Sequence, residues 1–207
     1  MIRNLNRRDA FIVAGAGALA AAGSARAQTP DGLIQVTLHT DQGDIVLALE
    51  SKKAPITTDN FLRYVDNKRY DGGTIYRAMR SEQTKDWGLI QGGSDKKKPR
   101  YPGIPHESTA MTGLTNRAGV ISLARGAPGT GTSDFFISVG DMSGLDAHPD
   151  QPGDNAGFAA FGHVISGMDV VLKIQAMPTK ADAEVEAMKG QMLESPVNIL
   201  TARRVTT

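Results

Sequence analysis

The stretch Gly119 to Val139, GVISLARGAPGTGTSDFFISV, gathers the residue types best suited to building a binding site in this chain. Val120, Ile121 and Leu123 form an apolar run short enough for a buried strand, and Phe135, Phe136, Ile137 and Val139 form a second. Between them Arg125 to Thr132 has loop composition, with three glycines and a proline. Two strands holding such a loop can set backbone N–H and C=O groups beside an extended ligand. Chemistry that needs a strong nucleophile or a metal finds no motif. The chain has no cysteine, which excludes disulfides, thiolate zinc sites and cysteine nucleophiles. His39, His106, His148 and His163 lack metal-ligand spacing, and no G-x-S-x-G elbow is present. A hydrolase assembled from scattered Ser, His and Asp therefore has no local support. A formal net charge of +1 gives no basic field for nucleic acid.

Three blocks in order carry a more specific resemblance. They are G-x-I-S-x-A, the Gly/Pro/Thr loop and S-x-F-F-I of the central stretch; Thr74-Ile75-Tyr76-Arg77 followed by Leu89-Ile90-Gln91-Gly92-Gly93; and Phe161-Gly162-His163-Val164 followed by Gly167-Met168-Asp169-Val170-Val171. Together they resemble the signature of cyclophilins, the peptidyl-prolyl cis-trans isomerases, from about Leu33 to Val205. The resemblance implies a mainly β fold, a closed eight-stranded antiparallel barrel capped by two helices. It implies isomerisation of X-Pro bonds in unfolded or partly folded polypeptides, without cofactor or metal, by a monomer. A proline-binding chaperone of the same fold with little catalysis is the alternative.

The resemblance also implies residue roles. Arg77 falls at the position of the family's catalytic arginine, and Gln91 at that of the glutamine that helps place the substrate carbonyl. Phe136 matches the floor of the proline pocket, Leu89 the residue beside it and Leu145 a wall. Ala124, Arg125 and Gly126 match the segment that binds the substrate backbone. Four positions depart from the family. Gly88 stands where a pocket phenylalanine is usual, with Trp87 next door expected to fill the space. Gly144 replaces an aromatic residue, and Phe158 a histidine or tyrosine. Asp134 replaces a glutamine; it is expected to face Arg77, pair with it and compete with the substrate, so that Asp134→Gln would raise activity.

These residues need elements to hold them. Leu33 to His39 and Ile45 to Glu50 alternate apolar positions, and Thr40 to Asp44 joins them as a β-hairpin. Pro55 suits the first turn of a helix running to about Asn67, with Ile56, Phe61, Leu62 and Val65 turned inward. Thr74 to Met79 reads as a strand, Arg80 to Asp86 as a polar loop and Asp95 to Arg100 as a solvated charge run. Met168 to Ile174 reads as a second helix, with Met168, Val171 and Leu172 on one face. Lys180 to Glu194 reads as a short extra helix through Val185, Met188 and Met192, and Val197, Ile199 and Ala202 suit a closing strand.

The N-terminus adds a destination. Arg3, Arg7 and Arg8 precede an apolar run, Ala10 to Ala22, too short to span a bilayer. Ala25-Arg26-Ala27 is an A-x-A-like cleavage site, and Asn6 to Phe11 is similar to a twin-arginine signal. The expectation is a leader over 1–27, one domain over 28–207 with no membrane span, and a periplasmic location. Gly15 to Ala20 imitates a dinucleotide fingerprint but follows no strand.

Overall fold

Strands with one apolar face must turn that face away from water, and here they do so by closing on themselves. The computed structural model describes residues 33–81 and 87–205. The leader reading of 1–27 and most of the polar loop up to Asp86 lie outside them. β1 (Leu33–Thr40) and β2 (Gly43–Glu50) form the expected hairpin, from Leu33 opposite Glu50 to Thr40 opposite Gly43. Their alternating Val36, Leu38, Ile45, Leu47 and Leu49 are wholly enclosed. The other strands are β3 (Gly73–Arg80), β4 (Gly88–Gly93), β5 (Val120–Leu123), β6 (Phe135–Val139), β7 (Ala159–Ser166), β8 (Thr179–Lys180) and β9 (Met192–Arg204).

The ring runs β1-β2-β7-β5-β6-β4-β3-β9, and β9 pairs back onto β1, so eight antiparallel strands close a barrel. The two-residue β8 lies on β9 outside that ring. Helices α1 (Pro55–Asp66) and α3 (Met168–Gln175) cover the barrel, and α2 (Thr109–Thr112) is a single turn. From α1, Phe61 packs on Tyr70, Phe161 and Phe135 with ring centroids 5.0, 5.3 and 5.9 Å away, which joins the helix to the barrel interior.

Three local readings need correction. Ile56 is 41% exposed, because the buried stripe of α1 runs through Thr57, Thr58, Phe61, Leu62, Tyr64 and Val65, and Ile56 lies at its edge. Leu172 is likewise outside the α3 stripe of Val171, Ile174 and Gln175. The segment before β9 forms only a 3₁₀ turn, Glu186–Met188, with Val185 exposed. Gly190 takes a positive φ of 75° there, and Met192 is already paired with Lys180 and Arg77, so no helix can continue.

One buried carboxylate fixes the start of α1. Its N-cap, Ala54, offers no side-chain acceptor, and Glu107 from a loop supplies one instead. Glu107 Oε1 accepts from the Ile56 N–H at 3.1 Å and Oε2 from the Thr57 N–H at 2.6 Å. These are otherwise orphan donors at the positive end of the helix dipole. Glu107→Ala should cost about 1.5–3 kcal/mol, the worth of hydrogen bonds to a charged group. Urea denaturation reads the loss as a lower midpoint at unchanged m-value; an unchanged midpoint would refute the cap.

Candidate active site

A bulge in β3 sets the site. Ile75 lies opposite Gly92 and Arg77 opposite Gln91, so Tyr76 is the extra residue; on the other side the pairing with β9 is also irregular here, its partner moving from Val197 to Met192 between Ile75 and Arg77. Strict alternation would send Ile75 and Arg77 to one face. With the bulge, Ile75 and Ala78 both enter the main core while Tyr76 and Arg77 stay half-buried on the outer face. On β4 and β6 the alternation is regular. Ile90, Phe135 and Ile137 join the main core, and Leu89, Gln91 and Phe136 share the outer face with Arg77.

That outer face carries a second, separate apolar cluster. Leu89, Phe136 and Met142 are its buried members, with Met79, Ala124, Leu145 and Phe158 packed against them. The rings of Phe136 and Phe158 meet edge to face, centroids 5.4 Å apart at 86°. Over this cluster opens a cavity of about 200 Å³, with Arg77 and Gln91 on its polar side and Arg125 and Met188 completing the wall. Leu145 sits on a 3₁₀ turn, Ser143–Leu145, and the fully buried Asn116 holds that turn. Asn116 Nδ2 donates to Asp146 Oδ1 at 2.7 Å and to the Leu145 carbonyl at 3.3 Å, while its Oδ1 accepts from Ser122 Oγ at 2.6 Å. The Phe158 N–H also donates to the Leu145 carbonyl, at 2.9 Å.

Arg125 turns away from the cavity mouth. Its Nε and Nη2 donate to the Gly157 carbonyl at 2.9 and 2.6 Å, and its Nη1 to Asp154 Oδ2 at 2.7 Å. The guanidinium carbon lies 5.2 Å from the Phe158 ring centroid. Arg125 thus ties down the loop that presents Phe158, and it holds the Asp154 carboxyl below its usual range. Gly126 is exposed and borders a neighbouring cavity with Gly144 and Asp154.

The polar side is a chain of hydrogen bonds. Arg77 Nη1 donates to Gln91 Oε1 at 2.7 Å, Gln91 Nε2 to Tyr76 Oη at 2.8 Å, and Tyr76 Oη to Asp134 Oδ2 at 3.2 Å. Asp134 also receives Arg100 Nη2 at 3.1 Å. Burial, then the Asp134 carboxylate, pushes the Tyr76 hydroxyl well up, so it stays neutral and can relay hydrogen bonds. Burial pulls the Arg77 guanidinium below its ordinary value, yet arginine stays charged at neutral pH. On its far edge Arg77 meets Gln191, whose Oε1 accepts from Nε at 2.9 Å and Nη2 at 2.6 Å.

Two expectations about the site change. Asp134 does not pair with Arg77; it faces Tyr76 and Arg100, with two side chains between it and the guanidinium. Trp87 does not fill the pocket either. It is 39% exposed, and Met79 and Met188 line the cavity instead. Gly88 has no room for a side chain, since a Cβ there would collide with the Met79 carbonyl oxygen. Sequence reading missed Met79, Tyr76, Met188 and Gln191. Only Tyr76, next to Arg77 in the motif, carried a local signal.

This arrangement is a guanidinium beside an apolar cavity on the outside of a closed barrel. Residues 35–202 match the family described as cyclophilin type peptidyl-prolyl cis-trans isomerase. The chain is 35% identical over 171 residues to a peptidyl-prolyl cis-trans isomerase of Acinetobacter baylyi, covering 81% of this chain and 84% of that one. It is 35% identical over 147 residues to peptidyl-prolyl cis-trans isomerase B of Escherichia coli, covering 70% and 85%. A crystal structure of a Cryptosporidium parvum cyclophilin type isomerase shares the fold at a TM-score of 0.60 and 18% identity, over 84% of this chain and 99% of that one. The chain therefore belongs to the cyclophilin-type peptidyl-prolyl cis-trans isomerases, and is an isomerase of X-Pro bonds.

The corrected placement of Asp134 removes the expected gain in its variant. A glutamine carbonyl can still accept from the Tyr76 hydroxyl, and the ion pair that is lost is with Arg100, not with Arg77. Asp134→Gln should leave kcat/KM on a proline peptide within about twofold, or roughly 0.4 kcal/mol. A rise beyond fivefold in a peptide isomerisation assay would restore direct competition for Arg77.

Proposed function

We propose that Arg77 is the catalytic residue, donating to the prolyl nitrogen as the X-Pro bond twists, and that the protein does this for exported polypeptides. Amide resonance sets a barrier of about 18–20 kcal/mol. Once the amide is twisted, the nitrogen loses resonance, becomes pyramidal and can accept a hydrogen bond. A donor waiting there favours the transition state over either planar isomer. The observation that carries this reading is Arg77 itself, a half-buried cation at the rim of an apolar cavity. Phe136, Leu89, Leu145 and Phe158 receive the proline ring and exclude water, which strengthens the charged contact. Gln91, Ala124, Arg125 and Gly126 flank the groove along which the substrate backbone lies.

Export is supported by the N-terminal sequence. Arg7-Arg8 ahead of Ala10 to Ala22, with the small-residue site ending at Ala27, directs the chain to the periplasm through the twin-arginine route. Gln28 then begins the mature domain. No helix among the described residues is long and apolar enough to cross a membrane. A ring that closes on itself offers a second copy little free strand edge, which supports a monomer.

Arg77→Ala should keep its fold and lose one to two decades of kcat/KM, the equivalent of a charged hydrogen bond of about 1.5–3 kcal/mol. Arg77→Lys should rescue poorly, because an ammonium lacks the planar fork. Wild-type turnover in a folded Arg77→Ala protein would remove Arg77 from catalysis. For export, changing Arg7 and Arg8 together to lysine should abolish periplasmic accumulation and leave uncleaved precursor. N-terminal sequencing of the wild-type periplasmic protein should begin at Gln28; an undiminished periplasmic yield in the double variant would sink the twin-arginine route.

A further inference from the structure

We propose that Gln191 is a positioning residue for the isomerisation, fixing the plane of the Arg77 guanidinium so that its unspent N–H groups face the proline cavity. The proposal rests on the catalytic reading of Arg77 above. Gln191 lies 114 positions along the chain from Arg77 and is delivered by the barrel. Met192 stands opposite Arg77 in the β3–β9 pairing, and the Ala78 N–H donates to the Gln191 carbonyl at 2.8 Å. The side chain therefore starts from a backbone that is already pinned beside Arg77.

A guanidinium carries five N–H groups. Gln191 Oε1 takes one from Nε and one from Nη2, and Gln91 Oε1 takes one from Nη1. Two remain, one on each terminal nitrogen. The one on Nη2 has only the Met79 sulfur, 3.8 Å away, and a thioether is a weak acceptor that yields readily to a substrate. Met79 lines the cavity, so this donor is on the substrate side.

Both glutamines are oriented by what their amide nitrogens do. Gln91 Nε2 donates to Tyr76 Oη, and Gln191 Nε2 donates to the Ala187 carbonyl at 3.2 Å. Each amide oxygen is thereby committed to Arg77. Gripping the cation with neutral oxygens also matters. A carboxylate in the same place would still orient the guanidinium, but its stronger, charge-assisted fork would leave it less free for a weakly accepting prolyl nitrogen, so it can replace the amide only in part. A long side chain left without the Gln191 grip would sample other rotamers and lose effective orientation at the reacting nitrogen. Because that hydrogen bond forms as the amide twists, the loss should fall on kcat and not on KM.

The test compares Gln191→Ala with Gln191→Glu in the full chain, on a proline tetrapeptide, with melting temperature as the control. Gln191→Ala should lower kcat about three- to tenfold with KM changed by less than about twofold, a smaller loss than in Arg77→Ala because the charged donor itself remains and only its orientation is lost. Gln191→Glu keeps an acceptor in place and should recover part of that loss. In ¹H–¹⁵N spectra, the Arg77 Nε–H signal, assigned by its absence in Arg77→Lys, should shift or broaden in Gln191→Ala. Wild-type kcat in Gln191→Ala would overturn the proposal, and so would a gain in kcat, which would mark Gln191 as a block. Equal losses in both variants would also overturn it, assigning the effect to segment packing. If instead Arg77→Ala were fully active, the catalytic reading itself would have failed, whatever the Gln191 variants showed.

Discussion

The closure of the ring by β9 is the constraint on which the rest depends. Its thirteen residues pair with β3 over the first part and with β1 over the last, so one strand serves two neighbours. An open sheet of this composition would leave an apolar face and two free edges. Closure removes both and encloses the interior under α1 and α3. The end of β9 is also held from outside the sheet. Asp71 takes both terminal nitrogens of Arg203 at 2.7 Å, and Asp66 takes Arg204 Nε and Nη2 at 2.8 and 2.6 Å. Those arginines keep both carboxyls below their usual range. The turn after α1 is thus tied to the strand that closes the barrel.

Closure separates two apolar clusters with different uses. The interior is filled by side chains, and its aromatic group of Phe61, Tyr70, Phe135 and Phe161 is wholly enclosed. The outer cluster of Leu89, Phe136 and Met142 is roofed incompletely, and that gap is the cavity. Phe135 and Phe136 are adjacent in sequence and belong to opposite clusters, because successive residues of a strand face opposite ways. The bulge at Tyr76 is what brings Arg77 to the same side as Phe136.

This explains which parts were legible in the sequence. The β1–β2 hairpin could be read because its apolar alternation and its turn are both local. Arg77, Gln91 and Phe136 could be read from a motif whose spacing matches the family. Gln191 and Met188 could not, since they approach Arg77 only through the register of two strands more than a hundred residues apart. Asp134 was misplaced for a related reason. Which neighbour its side chain meets depends on how β3, β4 and β6 pair, and both Gln91 and Tyr76 stand between Arg77 and Asp134. Ile56 and Leu172 show a smaller error, a helix stripe read too wide at one edge, while Phe61, Leu62, Val65 and Val171 are buried as expected.

The missing aromatic residues have a structural answer that also shapes how the site works. At Gly88 the backbone lies against the Met79 carbonyl, so no side chain can enter the pocket from there. At Gly144 a Cβ would meet nothing, and that wall is left open. Met79 and Met188 close the cavity from other directions. Methionines are unbranched and adaptable, so they fill an irregular gap at a greater cost in ordering than a rigid ring. Shape selection for proline then falls mainly on the edge-to-face Phe136–Phe158 pair, which Arg125 and the Asn116 network hold in place from behind. With soft walls, the fixed direction of the Arg77 donor carries more of the discrimination between planar and twisted amides. That is why the grip on Arg77 from both of its edges matters more here than it would in a pocket lined with rings.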